Sequence, residues 1–167
     1  IVDETANLED SAYKIGWGSC ANSGQACVSP DYVLVQESVA EEFVQHLATA
    51  TTNMYNADGK GFENSPSLCR IISLRHFNRL KGLLEDAIEK GANIALGGQL
   101  DEADLYISPT LLTNVSPDMQ IMKEEVFGPI LPIMTYATAS DAIAHISSLP
   151  KPLAMYIYSK KQAHIDY

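Results

Sequence analysis

The feature that most restricts what this chain can fold into is a regular alternation of short apolar runs with segments of helical period. Tyr32-Val33-Leu34-Val35 is a nearly continuous apolar run of the kind a buried parallel strand requires. Behind it, Ser38 and Glu41 form an N-terminal capping box, and Val39, Phe43, Val44 and Leu47 give one apolar helical face running towards Met54. A helix from about Ser73 to Lys90 ends at Gly91, where a left-handed residue is favoured. Asn93 to Leu96 then reads as a strand leading into Gly97-Gly98. Tyr106 to Thr113 reads as extended, Ile130 to Tyr136 as a strand, Ser140 to Leu149 as a helix, and Leu153 to Tyr158 as a last strand. A first helix, Leu8 to about Cys20, follows Asn7, with Glu9 and Asp10 placed where the helix dipole favours negative charge. Strands separated by helices imply right-handed crossovers, hence an α/β domain with a largely parallel sheet covered by helices on both faces.

The turn-rich segment from Asn56 to Pro66 is too short to separate two domains, so one domain over residues 1–167 is expected. With 46% hydrophobic and 19% charged residues, the chain can bury a substantial core. A formal charge of −10 argues against nucleic acid and anionic membranes as partners, because both need clustered cations. The longest apolar stretches, such as Val126 to Met134, are broken by Gly128, Pro129 and Pro132, so no membrane-spanning segment is expected. Without a basic, apolar leader, cytoplasmic is the default compartment. The chain starts at Ile1 without Met and stops at Tyr167 inside what reads as a helix begun at Ser159, with Gln162 completing a capping box. An excerpt of a longer polypeptide is therefore expected.

Chemistry concentrates in Asn22-Ser23-Gly24-Gln25-Ala26-Cys27, a loop between a helix and a strand. Gly24 permits unusual backbone geometry and close approach, and loop N–H groups can face an oxygen that becomes negative when a thiolate adds to a carbonyl. By residue type and loop placement alone Cys27 reads first as a small buried hydrophobe, which is how most free cysteines behave. Cys20, on a helix, and Cys69, beside Arg70, read as structural, and three cysteines make no disulfide framework. The four histidines, His46, His76, His145 and His164, lack metal-site pair spacing, so no metal is expected.

Asn22-x-Gly24-Gln25-x-Cys27 resembles the active-site cysteine motif of the aldehyde dehydrogenase superfamily, and Pro30-Asp31-Tyr32-Val33 resembles its class 3 or fatty-aldehyde branch. Glu124-Glu125-Val126-Phe127-Gly128-Pro129-Ile130 matches a second motif in the expected order, preceded by Pro109-Thr110-Leu111 and Met119. The stretch Arg75-His76-Phe77-x-Arg79-Leu80 and the Gly97-Gly98 turn are also similar to that branch, so the resemblance covers essentially the whole chain.

The resemblance implies that Cys27 is the nucleophile, with Asn22, Gly24 and Gln25 as the supporting loop. It implies that Glu125 binds the nicotinamide ribose of NAD or NADP and that Phe127 packs near the nicotinamide ring. A carboxylate suits a ribose diol because it accepts two hydrogen bonds. Without the family, Glu125 reads as a solvated acid and Phe127 as core. The implied reaction oxidises a small-molecule aldehyde to a carboxylic acid through a thiohemiacetal and a thioacyl-enzyme, in a parent that is a homodimer or higher homo-oligomer.

The dinucleotide-binding domain, the glutamate general base and the oxyanion asparagine of the family match nothing here, and Gly-x-Gly-x-x-Gly is absent. The isolated chain is therefore expected to be inactive. Cys20-Ala21 replaces the bulky residue common before Asn22, which bears on substrate size. Three rivals stand beside this reading: a CoA-acylating aldehyde dehydrogenase, a cysteine hydrolase pairing Cys27 with a histidine, and a non-catalytic structural or partner-binding fragment.

Overall fold

The structure is a computed structural model that describes residues 1–166. Helix α1 (Leu8–Cys20) starts where the Asn7 side chain accepts the Asp10 N–H at 3.2 Å, satisfying a donor that the first helical turn leaves unpaired. Strand β1 (Val33–Gln36) is buried along most of its length, as a central strand must be. Helix α2 (Ala40–Tyr55) buries Phe43 and Leu47 completely. Helix α3 (Leu74–Glu89) begins on Ser73, whose hydroxyl accepts the His76 N–H at 3.4 Å, and gives way to Gly91 at φ 99°.

Strands β2 (Asn93–Leu96), β3 (Leu100–Asp101), β4 (Tyr106–Ile107), β5 (Thr110–Thr113) and β6 (Ile130–Tyr136) follow. Helices α4 (Ala139–Ser147) and α5 (Gln162–Ile165) complete the order.

The main sheet runs β1-β6-β5-β2. β1 and β5 both lie parallel to β6, and only the edge strand β2 is antiparallel to its neighbour. Because side chains alternate across a strand, Leu111 and Leu131 face a core built with α1 and α2, while Leu112 and Ile130 face one built with α3. Each such fully buried Leu or Ile contributes about 1.5–3 kcal/mol, so the α/β expectation of a largely parallel sheet with helices on both faces holds for an energetic reason. α4 packs through Ala142 and Ile146 beside Leu34 and Tyr136.

Four local expectations are corrected. The Ser38–Glu41 capping box does not form: Gln36 Oε1 accepts both the Ser38 N–H and its hydroxyl, a tight turn spans Glu37–Val39, and α2 starts after Val39 without a side-chain cap. Tyr106 to Thr113 is not one strand. It breaks at Ser108-Pro109, where the Ser108 and Thr110 hydroxyls accept the Gln99 and Gly98 N–H groups at 2.9 and 3.0 Å.

Leu153 to Tyr158 is not a strand either. The N-terminal residues lie between it and β1: Tyr158 N–H donates to Ile1 O at 2.9 Å, and Val2 N–H donates to Leu34 O at 2.8 Å. A single bridge at Tyr158 remains, and Leu153 and Met155 stay exposed. The last helix starts at Gln162 and not at Ser159, because the Ser159 hydroxyl instead accepts the Lys161 N–H at 3.0 Å.

Candidate functional site

Three successive residues between α1 and β1 adopt left-handed backbone: Asn22 (φ 52°), Ser23 (φ 53°) and Gly24 (φ 68°). Non-glycine residues in this region carry strain, and something must hold them there. Asn22 Nδ2 donates to Gln25 O at 3.1 Å, while the Ser23 hydroxyl donates to Cys69 O at 2.8 Å. Gln25 clamps the loop to the segment before α3: its Nε2 donates to Arg70 O at 3.1 Å and its Oε1 accepts the Ile72 N–H at 2.9 Å. Asn22 and Gln25 thus shape this segment through hydrogen bonds, and Gly24 through its backbone conformation.

Gly24 serves a second purpose. A Cβ there would lie 2.1 Å from Gly128 O, so the loop can close on the Phe127-Gly128 turn only because the side chain is missing. Gly128 in turn backs onto Leu80 of α3, whose Cδ2 would be 2.4 Å from an added Cβ. The two motifs, far apart in sequence, thus meet main chain to main chain.

Cys27 follows in a turn closed by the Ser29 N–H on Ala26 O at 3.0 Å, and it is exposed. Cys27 is therefore not buried within this chain. Cys20 is the buried one, and burial pushes its thiol up to about 11, which makes it inert as a nucleophile. Cys69, expected to be structural, is exposed, and its carbonyl is what the loop uses. Among the described residues the Cys27 N–H meets no protein acceptor, which leaves a donor free beside the thiol.

Cys27 and Glu125 line one cavity of about 560 Å³. Its apolar wall includes Val28, Leu153, Met155 and Tyr156, and the Tyr156 hydroxyl donates to Val28 O at 2.9 Å. Glu125 is exposed, and among the described residues no cation pairs with its carboxylate. Phe127 sits at φ 49°, an outlier for a bulky residue, and keeps 38% of its surface exposed, so it is not core.

The Glu125–Phe127 segment is fastened from outside. Arg79 on α3 donates through Nη1 to Glu125 O at 3.1 Å and through Nη2 to Val126 O. Asp31, four residues past Cys27, accepts the Val126 N–H at 2.7 Å. Burial raises the Asp31 carboxyl above its ordinary value; the Val126 N–H lowers it, the Glu125 charge raises it and Arg79 lowers it. Sequence reasoning met Arg79 and Asp31 only as letters of family motifs and assigned neither a role. Their partners lie 46, 47 and 95 residues away, where local pattern carries no signal.

No histidine reaches Cys27. His46 faces Glu42 at 3.7 Å, His145 stands edge-on to Tyr32, and His164 pairs with Asp3 at 2.9 Å. The remaining histidine, His76, makes no side-chain hydrogen bond to the loop among the described residues, and the cysteine-hydrolase rival loses its geometric basis. Asp3, Glu4 and His164 form a close group, but Asp3 already accepts from Thr5 and pairs with His164, so ion pairing accounts for it. Among the described residues no helix is long and apolar enough to cross a membrane.

Comparison with known proteins agrees with this geometry. The profile of the Aldehyde dehydrogenase family matches residues 1–167. The chain is 45% identical over 162 residues to the 4,4'-diaponeurosporen-aldehyde dehydrogenase of Staphylococcus aureus, covering 97% of this chain and 34% of that protein. It is 42% identical over 159 residues to aldehyde dehydrogenase family 3 member A2 of Mus musculus, covering 95% of this chain and 31% of that one. The solved structure described as the substrate-bound state of Staphylococcus aureus AldH superposes with a TM-score of 0.92 at 43% identity, over 99% of this chain and 35% of the other. The chain therefore spans about a third of the length of these relatives.

Proposed function

The chain belongs to the aldehyde dehydrogenase family, and on that premise we propose that it is the nucleophile-bearing domain of a larger enzyme that oxidises an aldehyde to a carboxylic acid with NAD or NADP. The observation that carries this reading is the meeting of the two motif loops at Gly24 and Gly128, which sets Cys27 and Glu125 on one cavity.

The cradle fits the nicotinamide end of a dinucleotide. Glu125, on the cavity that holds Cys27, offers an unpaired carboxylate to the ribose diol, and Phe127, two residues on and outside that cavity's lining, offers an exposed ring. When bound, the dinucleotide supplies the hydride acceptor. The Cys27 thiol gives up its proton to solvent, and the thiolate adds to the aldehyde carbonyl, forming a C–S bond and an oxyanion for which the free Cys27 N–H is a candidate donor. Loss of hydride from that carbon leaves a thioacyl group on Cys27, and water attacks it to release the acid and restore the thiol. The left-handed loop keeps the sulfur exposed throughout, and the apolar wall of Val28, Leu153 and Met155 suits an aldehyde with a hydrocarbon body.

The chain spans about a third of its relatives and holds no counterpart of the family's general base or dinucleotide-binding motif, which supports reading the 167-residue chain alone as inactive; a homodimer or larger oligomer is proposed for the complete enzyme on the family resemblance. The test is aldehyde-dependent reduction of NAD+ and NADP+ by the full-length polypeptide and its Cys27→Ser variant. Acid should form, with the rate falling at least about 1,000-fold in the variant. A variant retaining most of its rate would place the nucleophile elsewhere, and acid appearing only with added coenzyme A would favour the acylating rival.

A further inference from the structure

We propose that Arg79 and Asp31 are positioning residues for the dinucleotide, acting by fixing the backbone of the Glu125–Phe127 turn; this rests on the reading of Glu125 given above.

The argument starts from what the turn lacks. Glu124 and Glu125 are exposed, and Phe127 sits at φ 49°, where a bulky side chain is strained. Left alone, such a segment relaxes, and the Glu125 carboxylate then points in many directions. Two neighbours prevent this. Arg79 holds the carbonyls of Glu125 and Val126, and Asp31 holds the Val126 N–H at 2.7 Å, so both faces of the Glu125–Val126 peptide are pinned. Val126 itself is 2% exposed and anchors the turn in the core beneath α3.

The choice of atoms matters as much as the number of bonds. Arg79 takes main-chain carbonyls and leaves the Glu125 carboxylate unneutralised, so the positive charge fixes the acid's position without consuming its accepting capacity. A cation paired with the carboxylate would compete with a ribose diol. Asp31 extends the same connection to the nucleophile, because it lies four residues beyond Cys27 on the run into β1. The turn that would grip the ribose and the loop that carries the sulfur are thereby fixed to one another by a side chain as well as by the Gly24–Gly128 contact.

The test uses the full-length polypeptide and its Arg79→Ala, Asp31→Ala and Glu125→Ala variants, with Arg79→Lys and Asp31→Asn as conservative partners. Binding of NAD+ and NADP+ is measured directly by titration, alongside kcat, KM and amide hydrogen exchange over residues 124–128. Arg79→Ala and Asp31→Ala should each raise the dinucleotide Kd roughly tenfold, with kcat at saturation changed less than about threefold and exchange over the turn accelerated. Arg79→Lys and Asp31→Asn should restore part of the affinity. Adding Arg79→Ala to Glu125→Ala should weaken binding by much less than Arg79→Ala does alone, since Arg79 acts mainly through Glu125.

If Glu125→Ala weakens binding while the Arg79 and Asp31 variants do not, the proposal is overturned and the ribose reading survives. If Glu125→Ala leaves binding unchanged, the ribose reading itself fails. Should either alanine variant not fold, the same comparison is made with its conservative partner, where unchanged affinity with unchanged exchange also overturns the proposal.

Discussion

The two loops that form the site are held in opposite ways. The Cys27 loop takes its shape largely from its own residues: left-handed Asn22, Ser23 and Gly24, a glycine where no side chain fits, and Gln25 reaching to Arg70 and Ile72. The Glu125–Phe127 turn is shaped by groups that belong to other elements, Arg79 of α3 and Asp31 before β1. The first loop resembles a part made to fixed dimensions, whereas the second is assembled in place. Disturbing the first should therefore damage the fold, and disturbing the holders of the second should chiefly change what the site binds.

The sharpest way to break this comparison is Gly24→Ala. The added methyl group would lie 2.1 Å from Gly128 O and 2.9 Å from Ser19 O, on a residue at φ 68°. A stability loss of more than about 3 kcal/mol in urea unfolding is expected, combining backbone strain with main-chain collision. A loss below about 1 kcal/mol would mean that the two loops do not meet as described.

Gln25→Ala should act in the same direction but less strongly. It removes the donor to Arg70 O and the acceptor of the Ile72 N–H, for an expected loss of about 1–3 kcal/mol by denaturant midpoint. Equal stability would show that the clamp is idle and that the left-handed run supports itself.

The smallest effect concerns Asp31 and sharpens the contrast, since its carboxyl serves the second loop from within the sequence of the first. Burial raises this carboxyl above 3.8, so the folded chain binds its proton more readily than the unfolded chain. The stabilisation is fully present below 3.8 and is lost as pH rises through the folded value. Thermal midpoints of the wild type should accordingly fall relative to Asp31→Asn across that window and run parallel above it. Parallel curves throughout would contradict the burial-driven shift.

The same contrast explains what could be read from the residues. Helices α1, α2 and α3 and strands β1 and β6 were legible because their period and burial are local properties, as the fully buried Phe43, Leu47 and Leu80 show. Leu153 to Tyr158 misled because an apolar run becomes a strand only if a neighbour is available, and Ile1–Asp3 takes the place beside β1. Ser38 misled because Gln36, two residues earlier, captures its N–H and hydroxyl. In the proposed site, Cys27, Glu125 and Phe127 are singled out by motif resemblance, and Gly24 by the conformational freedom a loop requires. The holders were not. Arg79, Asp31 and the Cys69 carbonyl act across long sequence separations that no local pattern encodes.

The most direct test of the central claim is to react the full-length polypeptide with a hydrocarbon aldehyde and NAD+ or NADP+, quench in acid during the steady state, and map the acyl group by mass spectrometry over Cys20, Cys27 and Cys69. The account predicts an acyl mass on the peptide carrying Cys27 and on neither of the others. An acyl group on Cys69, or acid production with Cys27 left unmodified and its Cys27→Ser variant equally active, would contradict it.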